Sequence, residues 1–236
     1  MSLILKSIFW LMVGILFLSS VLPLSKIPHG AVRGLAFPRE QFFVITLVMF
    51  VLGIVFLDSQ PRMYALITLT VVAGIHLAYV VKFTPLWAQQ SVDASQAELA
   101  DKDSHVTILA SNVKQSNRDF GALIDLIKAE KPEIATALEV DQEWTDELHA
   151  ALKDDYAHWV TVPKDNSYGM VLMSKLPLSE TQVRELLVED VPSIRTTVRN
   201  ADGQEWRLYI VHPEPPVPNH DTKGRDGEIA MIGIEA

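Results

Sequence analysis

Three long runs without a single charged side chain, at residues 8–24, 42–57 and 63–81, constrain this chain more than any other feature. Each is close to the ~20 residues a helix needs to cross a hydrocarbon core. A backbone shielded from water must pair its own N–H and C=O groups, which in a single segment means a helix. A buried core helix explains one such run but not three within 81 residues, so residues 1–88 are expected to form a membrane anchor with three transmembrane helices. The middle run is the shortest, with Gln41 and Asp58 at its edges. The first run, with Lys6 before it and the small Ser19 and Ser20 near its end, also has the make-up of a secretory signal peptide. Its removal would leave a two-helix hairpin.

Charge divides the chain in the same place. Residues 1–82 hold six basic and two acidic groups, whereas the remaining 154 residues hold 14 basic and 27 acidic ones, a net of −13. That balance argues against a module that binds nucleic acid in bulk, because backbone affinity comes from Lys and Arg. It leaves a nuclease open, since a metal ion can supply local positive charge. The absence of cysteine excludes a thiolate metal site and a thiol nucleophile. With three spans, the loop at 25–41 and the acidic part share one side of the bilayer. Lys and Arg near the helix ends favour the cytoplasm for that side by only about one charge, a margin too thin to assign it.

Residues 83–87 (FTPLW) suit a headgroup region, and the polar stretch 89–104 is expected to be a linker or short helix. An α/β pattern then follows. Short β-rich runs at 106–110 and 134–140 bracket a helix that Asn117 would cap, with Phe120, Leu123, Ile124 and Ile127 inward. A second helix is expected over 141–152 with Trp144, Leu148 and Leu152 inward. Strands are expected at 159–162, 168–174, 182–187, 194–198 and 206–212, with a hairpin turn at Asp202–Gly203. Prolines make 213–218 (PEPPVP) an extended loop, and a helix is expected from about Arg225.

Two strand ends matter for chemistry. Asn112 follows the first strand and Glu139 sits near the end of the second, and in a strand–helix–strand unit those ends lie side by side where ligands bind. An amide oxygen and a carboxylate are hard donors of the kind Mg²⁺ or Mn²⁺ takes while keeping most of its waters. The plainer alternative is a turn asparagine beside a solvated glutamate. His212 ends a later β-run; an imidazole there could protonate a leaving oxygen, or simply cap a strand. Gly169 would permit a close backbone approach. His220 and Asp221 near Arg225 read as a solvated loop.

Four motifs in order, SNVKQSN (111–117), LEVDQEW (138–144), YGMVLMSKLPL (168–178) and YIVHPEP (209–215), resemble the first half of the endonuclease/exonuclease/phosphatase superfamily, the DNase I-like fold. The resemblance extends to its bacterial membrane-anchored members. It implies a partial DNase I-like α/β sandwich over residues 105–236, about half of a four-layer domain, behind transmembrane helices in a bacterial inner membrane. It further implies Asn112 and Glu139 at a Mg²⁺ or Mn²⁺ ion and a catalytic His212 acting on a phosphate ester of unspecified class. Leu138 stands where the family usually has Gln before the Glu, and the ligand itself is retained.

The family's second half brings a GD-x-N motif and a late S-D-H motif, and this sequence contains neither. The expectation is a truncated, nearly inactive metal-dependent phosphoesterase or nuclease-like protein whose sheet has one bare inward face. The alternative is a catalytically dead membrane protein whose half-domain serves interaction only.

Overall fold

The structure, a computed structural model, describes residues 2–100 and 105–236; positions 101–104 of the expected linker lie outside the described residues. The chain forms two compact units: residues 1–92 with 215–223, and residues 93–214 with 224–236.

In the first unit, α1 (Leu3–Val21), α3 (Arg39–Phe56) and α4 (Ser59–Val80) pack around Phe9, Val13, Leu16, Met49, Ala65, Leu69 and Val72. All three are long and apolar enough to cross a membrane. Their outer faces leave large apolar side chains such as Leu11, Val44, Val55 and Ile67 exposed, a surface that water does not favour. Each helix begins three to five residues before the apolar run that marks it. The runs report the apolar stretch, whereas Lys6, Arg39 to Gln41 and Ser59 to Arg62 continue the helices into polar surroundings. Pro23 closes α1 through a 3₁₀ turn, and Arg62 donates to the Leu57 carbonyl at 3.0 and 2.7 Å, capping α3. The short α2 (Gly30–Gly34) meets the proline-rich segment: Gly30 N–H donates to the His220 carbonyl at 2.8 Å and Thr222 N–H to Pro28 at 2.9 Å. His220 and Asp221, expected in a solvated loop, are therefore tied down by residues 28–30.

In the second unit, β1 (Ile108–Asn112), α6 (Phe120–Glu130) and β2 (Ile134–Leu138) make a parallel crossover. α7 (Gln142–Leu152), β3 (His158–Val162) and β4 (Met170–Ser174) complete a sheet of order β1-β2-β4-β3. A short helix, α5 (Gln96–Ala100), lies in the expected linker. β5 (Leu178–Glu185), β6 (Pro192–Arg199) and β7 (Glu205–Val211) form a separate antiparallel meander, closed at Gly203 (φ +81°). α8 (Lys223–Glu235) is tied to it by an Arg184–Glu235 pair and by Glu228, which accepts from the Leu187 and Val188 amides.

Strand alternation explains the layering. Val171 and Met173 of the fully buried β4 face α6 and α7 with Leu123, Ile127, Trp144 and Leu148. Met170 and Leu172 point the other way, onto Ile194, Val198 and Ile210 of the second sheet. This corrects the expected bare inward face. The strands expected at 182–187, 194–198 and 206–212 pair with one another as β5, β6 and β7 in a second sheet, and its apolar face covers the first sheet.

The cap of α6 is Asp119, which accepts from Ala122 N–H at 3.2 Å; Asn117 instead holds the Asp119 amide one turn earlier. Asp141 caps α7 through Trp144 N–H (3.0 Å) and accepts from Arg118 at 2.6 Å. Replacing it with alanine is expected to cost about 1–2 kcal/mol in urea denaturation. The Arg118 hydrogen bond holds the Asp141 carboxyl below its usual range, ahead of the opposing effect of burial. A depressed folded-state value stabilises above the unfolded pKa and is lost as pH falls through the folded one. The gap between wild type and Asp141→Ala should therefore be full at neutral pH and shrink below about pH 4.

Candidate active site

β1 and β2 run parallel with Asn112 opposite Leu138, so Asn112 and Glu139 emerge at adjacent strand ends. Glu139 then leaves the strand in the left-handed region (φ +63°), where a residue with a Cβ is held only by its surroundings. Those surroundings are backbone. Val113 N–H donates to Leu138, Val140 N–H to Gly169 and Lys164 N–H to Val140, at 3.1–3.2 Å, and Val140 is fully buried. The turn throws the carboxylate toward β1. Asn112 Nδ2 donates to Glu139 Oε1 at 2.7 Å, and the Gln115 amide lies 3.4 Å from Oε2.

His212 follows β7, and its Nε2 lies 3.6 Å from Glu139 Oε1, with both side chains 22% exposed. All three residues singled out in the sequence thus meet at one place. The 3.6 Å separation is longer than a hydrogen bond and becomes an ion pair when the ring is protonated.

Three further residues belong to this site. Gln115 donates from Nε2 to the Lys164 carbonyl (2.9 Å) and accepts from Ser167 Oγ (2.9 Å), bridging the loop after β1 to the loop before β4. Tyr168, expected as the first residue of a strand, instead precedes β4 and lies against the His212 ring with centroids 5.6 Å apart. Burial first, then the Glu214, Glu139 and Glu228 carboxylates, push its hydroxyl above the ordinary tyrosine value, so it stays protonated. Lys114 (φ +59°) and Ser167 (φ +67°) are also left-handed, so with Glu139 three such residues lie in the loops that build the site. No simple sequence signal marks them, because none is glycine.

The donors fit a hard divalent cation, with different parts for the two residues. Among the described residues Glu139 Oε2 has only the long amide contact and is available as a ligand. The Asn112 amide nitrogen faces Glu139, while its oxygen accepts from Lys114 N–H at 2.9 Å. Asn112 therefore orients the carboxylate rather than competing with it. Among the described residues no group of three or more His, Asp or Glu side chains forms a metal cage, so an ion here would keep most of its waters, as Mg²⁺ does.

The sequence model of the Endonuclease/Exonuclease/phosphatase family matches residues 109–233. Among solved structures, the chain is similar to D. rerio TDP2 complexed with a single-strand DNA product, at 14% identity over 54% of this chain and 52% of that one (TM-score 0.46). It is also similar to an endonuclease/exonuclease/phosphatase from Bacteroides vulgatus, at 16% identity over 55% and 59% (TM-score 0.44). The chain spans about half the length of these proteins. No curated protein matches it. With the matched segment running from β1 into α8 and covering just over half of the chain, the protein belongs to the endonuclease/exonuclease/phosphatase family.

Proposed function

We propose that the second unit is a divalent-metal-dependent phosphoesterase or nuclease-like domain carried on a three-helix anchor in a bacterial inner membrane. The observation that carries this reading is the convergence of Asn112, Glu139 and His212 within 2.7 and 3.6 Å at the ends of β1, β2 and β7. A bound Mg²⁺ or Mn²⁺ would supply Lewis-acid polarisation of a phosphoryl oxygen. Glu139 would hold it, and Asn112 would fix the carboxylate by donating to Oε1. His212, on the same carboxylate, would donate a proton from Nε2 to the leaving oxygen, and Tyr168 would set the ring's tilt. The substrate is a phosphate ester; the net charge of −13 after residue 82 disfavours bulk binding to nucleic acid.

The described residues do not gather the further acids that a complete metal and water-activating site would use. A positioned acid or base contributes ~10²–10⁴-fold, so the 236-residue chain by itself is expected to turn over slowly. The same observation favours a second reading, an anchored domain that retains the geometry but serves only interaction.

A panel of phosphodiesters and phosphomonoesters with Mg²⁺ separates the two. His212→Ala should lower kcat ~10²-fold or more. Equal rates in wild type and variant would rule out the assigned role.

A further inference from the structure

The first unit holds a polar cluster that the proposed chemistry does not use. His76, on α4, is completely buried, and neither ring nitrogen has a hydrogen-bond partner among the described residues. Its ring lies 5.7 Å from that of Phe42 on α3, and it lies within electrostatic range of Arg39. Arg39 stacks on the Tyr79 ring at 3.9 Å, and its buried Nη1 also lacks a partner among the described residues. Tyr79 is three residues beyond His76 and so lies on the same side of α4. A groove of about 430 Å³ opens at this end of the helices, lined by Phe37, Arg39, Glu40, Gln41, Tyr79 and Phe83.

Desolvated donors without acceptors cost free energy, and an ionisable group inside apolar helices is retained where it has work to do. Three features select an anion. Arg39 offers a planar fork suited to phosphate oxygens. α3 starts here without a side-chain cap, so its positive end faces the groove. The opposing carboxylate, Glu40, is exposed and can remain in water. Exposed Phe37 and Phe83 on the rim suit the headgroup layer, which points to a lipid as the source of that anion.

We propose that this groove binds the phosphate of an acidic phospholipid, with Arg39 as its principal donor. The inference goes beyond phosphoesterase activity and rests only on the anchor being embedded in a bilayer. Alkaline carbonate extraction tests that premise first. If wild type is stripped from membranes, the anchor reading itself fails.

If it stays, native mass spectrometry of the full chain in mixed micelles of phosphatidylglycerol and phosphatidylcholine tests the site. Wild type should retain one phosphatidylglycerol in preference, and 10 mM inorganic phosphate should not displace it. Arg39→Gln should reduce that preference ~10-fold, and Arg39→Lys should fall between, because it keeps the charge and loses the fork. Lys82→Gln removes an exposed cation outside the groove and should change nothing; circular dichroism of each variant checks folding. If Arg39→Gln fails to fold, the Arg39→Lys comparison decides. Undiminished retention in the Arg39 variants, equal loss in Lys82→Gln, or no lipid preference in wild type would overturn the proposal.

Discussion

Glu139→Ala should reduce Mg²⁺-dependent phosphoester cleavage by ~10²–10³-fold or more while leaving the fold intact. The carboxylate is the available hard ligand of the site, and three groups converge on it: the Asn112 amide at 2.7 Å, the Gln115 N–H at 3.4 Å and the His212 ring at 3.6 Å. The stability change should be small because it is confined to one lost contact. The variant loses the Asn112 hydrogen bond, worth about 1 kcal/mol, but the Cβ-bearing residue at φ +63° remains. Glu139→Gly removes that strain as well, a gain of about 1 kcal/mol, so it should be at least as stable as Glu139→Ala and equally inactive. Thermal melts beside kcat/KM values check both statements. A glycine variant that is less stable than the alanine variant would mean that the backbone strain is misplaced.

Gly169→Ala should have the largest effect on stability. A Cβ there would sit 1.8 Å from the Val140 carbonyl oxygen and 2.7 Å from the Lys164 nitrogen. Both are backbone atoms, and both take part in the hydrogen bonds that hold Val140 and hence the Glu139 turn. Neither can move like a side chain, so the variant should lose about 3 kcal/mol, the upper end for overpacking, and lose activity with it. Gly121→Ala makes the comparison: in α6 its Cβ would find only the Asp119 carboxylate at 3.7 Å. Relief of glycine's backbone entropy should then stabilise the protein by up to about 1 kcal/mol. Urea denaturation of the two alanine variants should shift in opposite directions.

What the sequence made legible follows from what each signal reports. Uncharged runs located the three long helices but not their first turns, because Arg39 and Ser59 to Arg62 are helical without being apolar. The alternation of β-rich runs with Phe120–Ile127 and Trp144–Leu152 periodicity placed β1, α6, β2 and α7 within a few residues. It could not say which sheet β5 to β7 join. That depends on hairpin closure and on which face of Ile194, Val198 and Ile210 meets β4, a long-range choice.

The site divides in the same manner. Asn112, Glu139 and His212 are ends of recognisable runs, and their family motifs name them. Gln115, Ser167 and Tyr168 join only when the loop after β1 meets the loop before β4, 52 residues apart in the Gln115–Ser167 contact. Left-handed Lys114, Glu139 and Ser167 carry no glycine signature, and Asn112's role as a donor depends on which way its amide faces.

A carboxylate held by an amide at neighbouring strand tips should take up a hard cation. Mn²⁺ titration of the full chain, followed by electron paramagnetic resonance with Mg²⁺ as competitor, tests it without requiring turnover. One Mg²⁺-displaceable site is expected in wild type. It should weaken ~10–100-fold in Asn112→Leu, which removes the orienting donor, and vanish in Glu139→Gln. Unchanged Mn²⁺ binding in Glu139→Gln would show that Glu139 does not hold the ion.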